Sequence, residues 1–199
     1  TPTAARTDGH PANSKFTLTL QKGQLYQALS KTDLTGTHIK SVSSGSQTCK
    51  KIAVYSGSSW IAITCTPDHA SADNLFQLVY PTSAWGKNFI TAPLAGRGYD
   101  IFRIIYSDPT ANVQLNGSAI PASSLVNNFY YEFKSTTPNV ITSNKPIQVA
   151  QYAVTQGSTI DCGTNNEKIG DPEMIYLTPI EQGLDHVTLY ATDKQNITQ

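Results

Sequence analysis

Val140-Ile-Thr-Ser-Asn-Lys-Pro-Ile-Gln-Val-Ala-Gln-Tyr152, followed after a polar loop by Gly170-Asp-Pro-Glu-Met-Ile-Tyr-Leu-Thr-Pro-Ile-Glu-Gln182, restates a pattern met earlier in the chain. Ile39-Lys-Ser41, Lys50-Lys-Ile-Ala-Val-Tyr55 and Ala72-Asp-Asn-Leu-Phe-Gln-Leu-Val-Tyr-Pro81 are its first version. Lys51–Val54 lies over Pro146–Val149 and Asp73–Pro81 over Asp171–Pro179, an offset of roughly 95 to 98 residues that marks an internal repeat. Working outward, Gly23–Gln27 answers Asn128–Glu132, and Asn88–Ala92 answers His186–Tyr190. The chain therefore reads as two copies of one β-rich unit, residues 1–98 and 99–199.

Each copy is built from short alternating segments. Phe16–Leu20 and Gln24–Leu29 alternate around Gln21-Lys-Gly23 and predict a hairpin. His38–Val42, Lys51–Tyr55, Trp60–Cys65 and Leu75–Tyr80 follow as strands, and Pro81 ends the last because proline cannot donate to a ladder. Tyr99–Tyr106 is the strongest strand signal, dense in aromatic and β-branched residues. Asn116-Gly117 is the strongest hairpin turn. Asn139–Tyr152 reads as two strands broken at Asn144-Lys-Pro146, and Glu173–Thr178 closes the unit. No window carries the i, i+3, i+4, i+7 spacing of a core helix, and only Pro121–Val126 tolerates one. The expected class is all-β, two antiparallel β-sandwich-like repeats of roughly 100 residues each, with a propeller-like or shared-sheet arrangement as the alternative.

Composition removes several functions. Charged residues make up 14 % of the 199 residues and the net charge is zero, which leaves no electrostatic footprint for nucleic acid or an anionic membrane. No apolar run approaches the roughly 18 residues of a membrane span. Copy one begins part-way through the repeat, so the chain reads as a segment of a longer protein. Cys49 and Cys65 flank the apolar strands of copy one, and a disulfide between them would contribute on the order of 3 kcal/mol. The alternative keeps all three cysteines as buried thiols, and Cys162 has no evident partner. The Ser/Thr-rich, charge-poor surface favours an oxidising, extracellular setting.

Candidate chemistry is sparse. His10, His38, His69 and His186 lie in separate segments without metal-site spacing, and no phosphate loop or nucleophile elbow is present. No catalytic residue is assigned. Asp73 and Asp171 occupy the same place in the two copies and, with Glu173, could offer hard oxygens to Ca²⁺ or could simply shape the turn before each strand. Gly57-Ser58-Ser59 reads as a hairpin tip, and Trp60 beside it as a core residue or an exposed platform for a sugar ring or a protein. Trp60, Ser58 and Ser59 are the ligand-binding candidates. Trp85 reads as core, and Asn116 and Asn196 head glycosylation sequons.

Phe16-Thr-Leu-Thr-Leu-Gln-Lys-Gly-Gln-Leu-Tyr-Gln27, the Asp33-Leu-Thr-Gly36 turn, Lys51-Ile-Ala-Val-Tyr-Ser-Gly57 and Trp85-Gly-Lys-Asn-Phe-Ile90 are family-like motifs. With Asp100-Ile-Phe-Arg-Ile-Ile105, Lys145-Pro-Ile-Gln-Val-Ala-Gln-Tyr152 and Gly170-Asp-Pro-Glu-Met174, this ordered set resembles the IgGFc-binding protein N-terminal domain family over nearly the whole chain. It is most similar to members in secreted or surface proteins of Bacteroidetes-type bacteria. The resemblance implies an extracellular, non-catalytic binding or adhesion module. The expected partner is a protein or glycoprotein, and no cofactor is assigned. It brings no contact residues with it. A carbohydrate-binding module using exposed aromatics and a structural spacer are the alternatives.

Overall fold

A computed structural model describes residues 5–43, 45, 50–65, 71–166, 170–186 and 188. Among them run β1 (Tyr55–Ile61), β2 (Asp73–Leu78), β3 (Gly86–Thr91), β4 (Asp100–Tyr106), β5 (Val113–Leu115), β6 (Ser118–Ala119), β7 (Tyr130–Ser135), β8 (Asn139–Ala153) and β9 (Glu173–Tyr176). The only helical pieces among the described residues are 3-10 turns at Thr82–Ala84, Ala122–Ser124 and Ile180–Gln182. The protein is all-β, and every strand pairing is antiparallel.

β8 is the spine. Ile141 faces both Phe89 of β3 and Leu115 of β5, and Ala150 faces both Arg103 of β4 and Tyr176 of β9. β3 and β9 thus follow one another along one edge of β8, and β5 and β4 along the other. β7 extends the sheet beyond β4, and β6 beyond β5. Asn116 and Gly117 take φ of 51° and 82°, the positive values that a two-residue hairpin between right-twisted strands requires.

The expected break at Asn144-Lys-Pro146 is absent, and β8 runs unbroken for 15 residues. Pairing with β5 ends at Ser143 and pairing with β4 starts at Ile147, so Pro146 falls between two partners, where no ladder donor is needed. The core packs Phe89, Phe102, Ile104, Tyr106, Val113, Ile141, Ile147 and Val149 together on one side of this sheet.

β1 and β2 form a separate two-stranded sheet, and β1 carries Gly57–Ser59 inside the strand and not at a hairpin tip. The expected hairpin of Phe16–Leu20 and Gln24–Leu29 and the expected strand His38–Val42 do not form as ladders, and of Trp60–Cys65 only Trp60 and Ile61 lie in a strand, the end of β1. Leu25 is 95 % exposed, and Leu18, Leu20 and Leu29 are exposed too. β propensity measures fit to a pleated, half-buried surface, and this segment finds no such surface to join. It is instead pinned by side chains, with Arg6 stacked 4.1 Å over the Phe16 ring and paired to Asp8.

The main sheet crosses residue 98. β3 belongs to the first expected unit and pairs with β8 of the second, so the units share strands. Truncating Phe102, fully buried on β4 beside β8, is expected to cost about 3–5 kcal/mol in chemical denaturation, and Phe76→Ala on β2 under about 1 kcal/mol.

Candidate functional site

The β1–β2 ladder has a counterpart. Tyr55 pairs with Leu78, Ser56 with Gln77, Gly57 with Phe76 and Ser58 with Leu75. In the main sheet Ala150 pairs with Tyr176, Gln151 with Ile175, Tyr152 with Met174 and Ala153 with Glu173. Shifting β1 by 95 positions and β2 by 98 converts each pair of the first set into one of the second. The bond from Val79 N to Val54 O is matched by that from Leu177 N to Val149 O. Pro81 and Pro179 then lead into their 3-10 turns with φ of −64° and −69°.

The two ladders differ in what covers them. Alternation puts Tyr55, Gly57, Phe76 and Leu78 on one face, and their counterparts Ala150, Tyr152, Met174 and Tyr176 on the equivalent face. Ala150 and Met174 are 0 % and 4 % exposed, whereas Tyr55 and Phe76 are 55 % and 66 % exposed. Tyr55 and Phe76 stack face to face, ring centroids 4.8 Å apart and 3° from parallel. Leu78 is also exposed, and Trp60 reaches 75 % beyond the irregularity between Ser58 and Ile61. The aromatic face is therefore a patch that the fold leaves open.

On the second ladder the equivalent face is filled by the first unit. The Tyr176 ring lies 6.0 Å from that of Tyr80, and burial raises the pKa of its hydroxyl. Further along, Arg103 gathers the Asp33 turn. Its Nη1 donates to Asp33 Oδ2 at 2.8 Å and Thr35 Oγ1 at 2.7 Å, its Nη2 to Glu132 Oε2 at 2.7 Å, and the guanidinium lies 4.3 Å from the Tyr130 ring centroid. Burial alone would lower the Arg103 pKa, but Tyr152, Asp33 and Glu132 raise it. Burial pushes the Tyr152 hydroxyl up to about 12. Gly36, at φ 87°, brings the chain so close to the Phe129 ring that a Cβ there would collide with it.

Of the expected site residues, Trp60 and Ser59 lie exposed on β1, while Ser58 is half-buried opposite Leu75. Asp73 accepts from Asn74 N, Glu173 from Met174 N, and Asp171 from the Ser71 hydroxyl, so each acid supports local backbone or its neighbour. Among the described residues no group of three or more His, Cys, Asp or Glu converges. Trp85 is half-buried and donates to Tyr80 O, and His10 stacks on Phe16. Asn116 donates its amide to Asn139 Oδ1 and accepts from Val140 N, as a turn residue should. Cys49, His69 and Asn196 lie outside the described residues.

The cysteine pairing is corrected. Cys65 bonds Cys162, with Cα atoms 5.1 Å apart and a sequence separation of 97, so the Cys49–Cys65 bridge does not form. That separation matches the repeat offset, a signal in the sequence that proximity along the chain obscured. Tyr55, Phe76 and Leu78 were also missed as surface residues, because Leu75–Tyr80 reads as a doubly buried strand and only Leu75 of β2 is buried.

Residues 1–199 match the family described as IgGFc binding protein, and the chain belongs to it. It is 25 % identical over 174 residues to the IgGFc-binding protein of Homo sapiens, an alignment covering 86 % of this chain and 3 % of that protein. The chain thus spans a small fraction of the length of that relative. No solved structure matches it, and no helix of the described residues is long and apolar enough to cross a membrane.

The Asp33 turn sets an acid limit. Burial raises the Asp33 pKa, but bonds from Thr35 and the charge of Arg103 outweigh it and the native value lies below the ordinary one. Its contribution is therefore complete above the unfolded value of about 3.9 and is lost as pH falls through the native value. Asp33→Asn is expected to remove that part of the acid limb of a Tm-against-pH curve and to cost on the order of 1 kcal/mol at neutral pH, discounted for solvent. An acid limb identical to wild type would contradict this role.

Proposed function

We propose that this chain is an extracellular, non-catalytic binding or adhesion module that recognises a protein or glycoprotein partner through the Tyr55, Trp60, Phe76 and Leu78 face. The observation that carries the reading is the contrast between matched ladders, one face covered and its counterpart open. Exposed aromatic side chains held on strands lose little freedom on binding, which suits them as anchors at the centre of an interface. Two repeat units, 1–98 and 99–199, fused through β3, supply the frame. The cross-unit disulfide supports a secreted or cell-surface setting, of the bacterial kind that the motifs resemble. Family membership supports binding over catalysis, and no cofactor enters the reading.

The human relative's name makes immunoglobulin Fc the first partner to try. A second reading, recognition of a glycan, draws on the parallel Tyr55/Phe76 pair, whose open π surface suits a sugar ring. Biolayer interferometry against immobilised Fc should detect binding that Trp60→Ala with Phe76→Ser weakens at least about tenfold, while the thermal midpoint stays within a few degrees. Undiminished binding by that double variant would exclude this face. A response confined to polysaccharides on a glycan array, and sensitive to the same changes, would favour the second reading.

A further inference from the structure

Lys134 projects from β7 toward the bridge between the units. Its Nζ stands 3.0 Å from Cys65 Sγ and 3.7 Å from Cys162 Sγ, and 5.0 Å from the centroid of the Tyr99 ring beneath it. The Tyr99 hydroxyl lies 3.9 Å from Cys65 Sγ. Both cysteines are exposed, and Cys162 sits in a tight loop at φ 65°. Asp161, next to Cys162, is engaged by the Thr159 hydroxyl and Gly163 N, and Glu132, two residues from Lys134 on β7, is paired with Arg103. No carboxylate pairs with Lys134 among the described residues.

A neutral disulfide gives an ammonium little to bind. A thiolate gives it a great deal, and thiol–disulfide exchange is faster when the departing sulfur is stabilised as an anion and the attacked one is accessible. We propose that Cys65–Cys162 is a thiol-exchange site for a partner bearing a reactive cysteine. The partner's thiolate attacks Cys162 Sγ and forms a new S–S bond with it. The Cys65–Cys162 bond breaks, and its electron pair leaves on Cys65 Sγ, the sulfur nearer Lys134, where the ammonium and the Tyr99 hydroxyl receive the charge. One disulfide is consumed and one is made, so no oxidant or reductant is needed. The outcome is a partner held covalently at Cys162 and a free thiol at Cys65. This assignment stands apart from the aromatic face and does not depend on it.

The test incubates the oxidised full chain with reduced glutathione at pH 7.4, without denaturant. Aliquots are quenched with acid and alkylated, then mapped by mass spectrometry with Cys49 followed separately. The expected product carries glutathione on Cys162 and the alkyl group on Cys65. Lys134→Met should slow its formation about threefold or more, and Lys134→Arg should keep the wild-type rate, with the thermal midpoints of the oxidised proteins unchanged. Glutathione found mainly on Cys65, a Lys134→Met rate equal to wild type, or no adduct under native conditions would each overturn the proposal.

Discussion

β8 is hydrogen-bonded along both edges and buried on both faces through Ile147–Gln151. No other strand satisfies so many neighbours at once, and the order of the fold follows from that. A strand 15 residues long outlasts any one partner, so β3 and β5 serve its first half and β9 and β4 its second. Proline is tolerated at the handover because the ladder there asks for no donor. A shared spine also explains why the division near residue 98 is not a physical seam. Cutting it would strip β3 from the sheet and open Phe89 and Ile141 to water.

The matched ladders show how a repeat can persist while its surroundings diverge. Pairing register is fixed by backbone geometry, and a one-residue slip would turn every side chain to the opposite face. The offsets of 95 on one strand and 98 on the other place the length change in the loops between paired strands, where it does not disturb register. Side chains are freer to change. Phe76 stands where Met174 is buried, and Tyr55 where Ala150 is buried, so the first copy puts its largest side chains where the second has shelter and it has none.

Much of the fold was legible because its strongest strands combine local propensity with a partner. β4, β7, β9 and the Asn116-Gly117 turn announce themselves by β-branched and aromatic content or by turn chemistry. Phe16–Leu29 has the same alternation and no sheet to enter, and nothing in the residues themselves discloses that. The unbroken course of β8 was hidden because proline breaks a strand only where the edge its nitrogen faces is paired, and no partner lies opposite Pro146. Trp60 was visible as a candidate from its Ser/Gly neighbours. Its companions Tyr55, Phe76 and Leu78 were not, since exposure on one face depends on which element lies over it. The disulfide lay outside local reasoning altogether, for it joins positions that only the repeat spacing brings into register.

That bond also determines how the molecule would bear a pull. Stretched from its two ends, the polypeptide transmits tension across the covalent link between Cys65 and Cys162 and bypasses everything threaded between them. β2 through β8, with the cluster of Phe89, Phe102, Ile104 and Ile141, fall inside that bypass. Only the flanking lengths could pay out under load, and the compact middle would travel as a fixed bead on a string, its extension capped by a bond that force alone does not readily break.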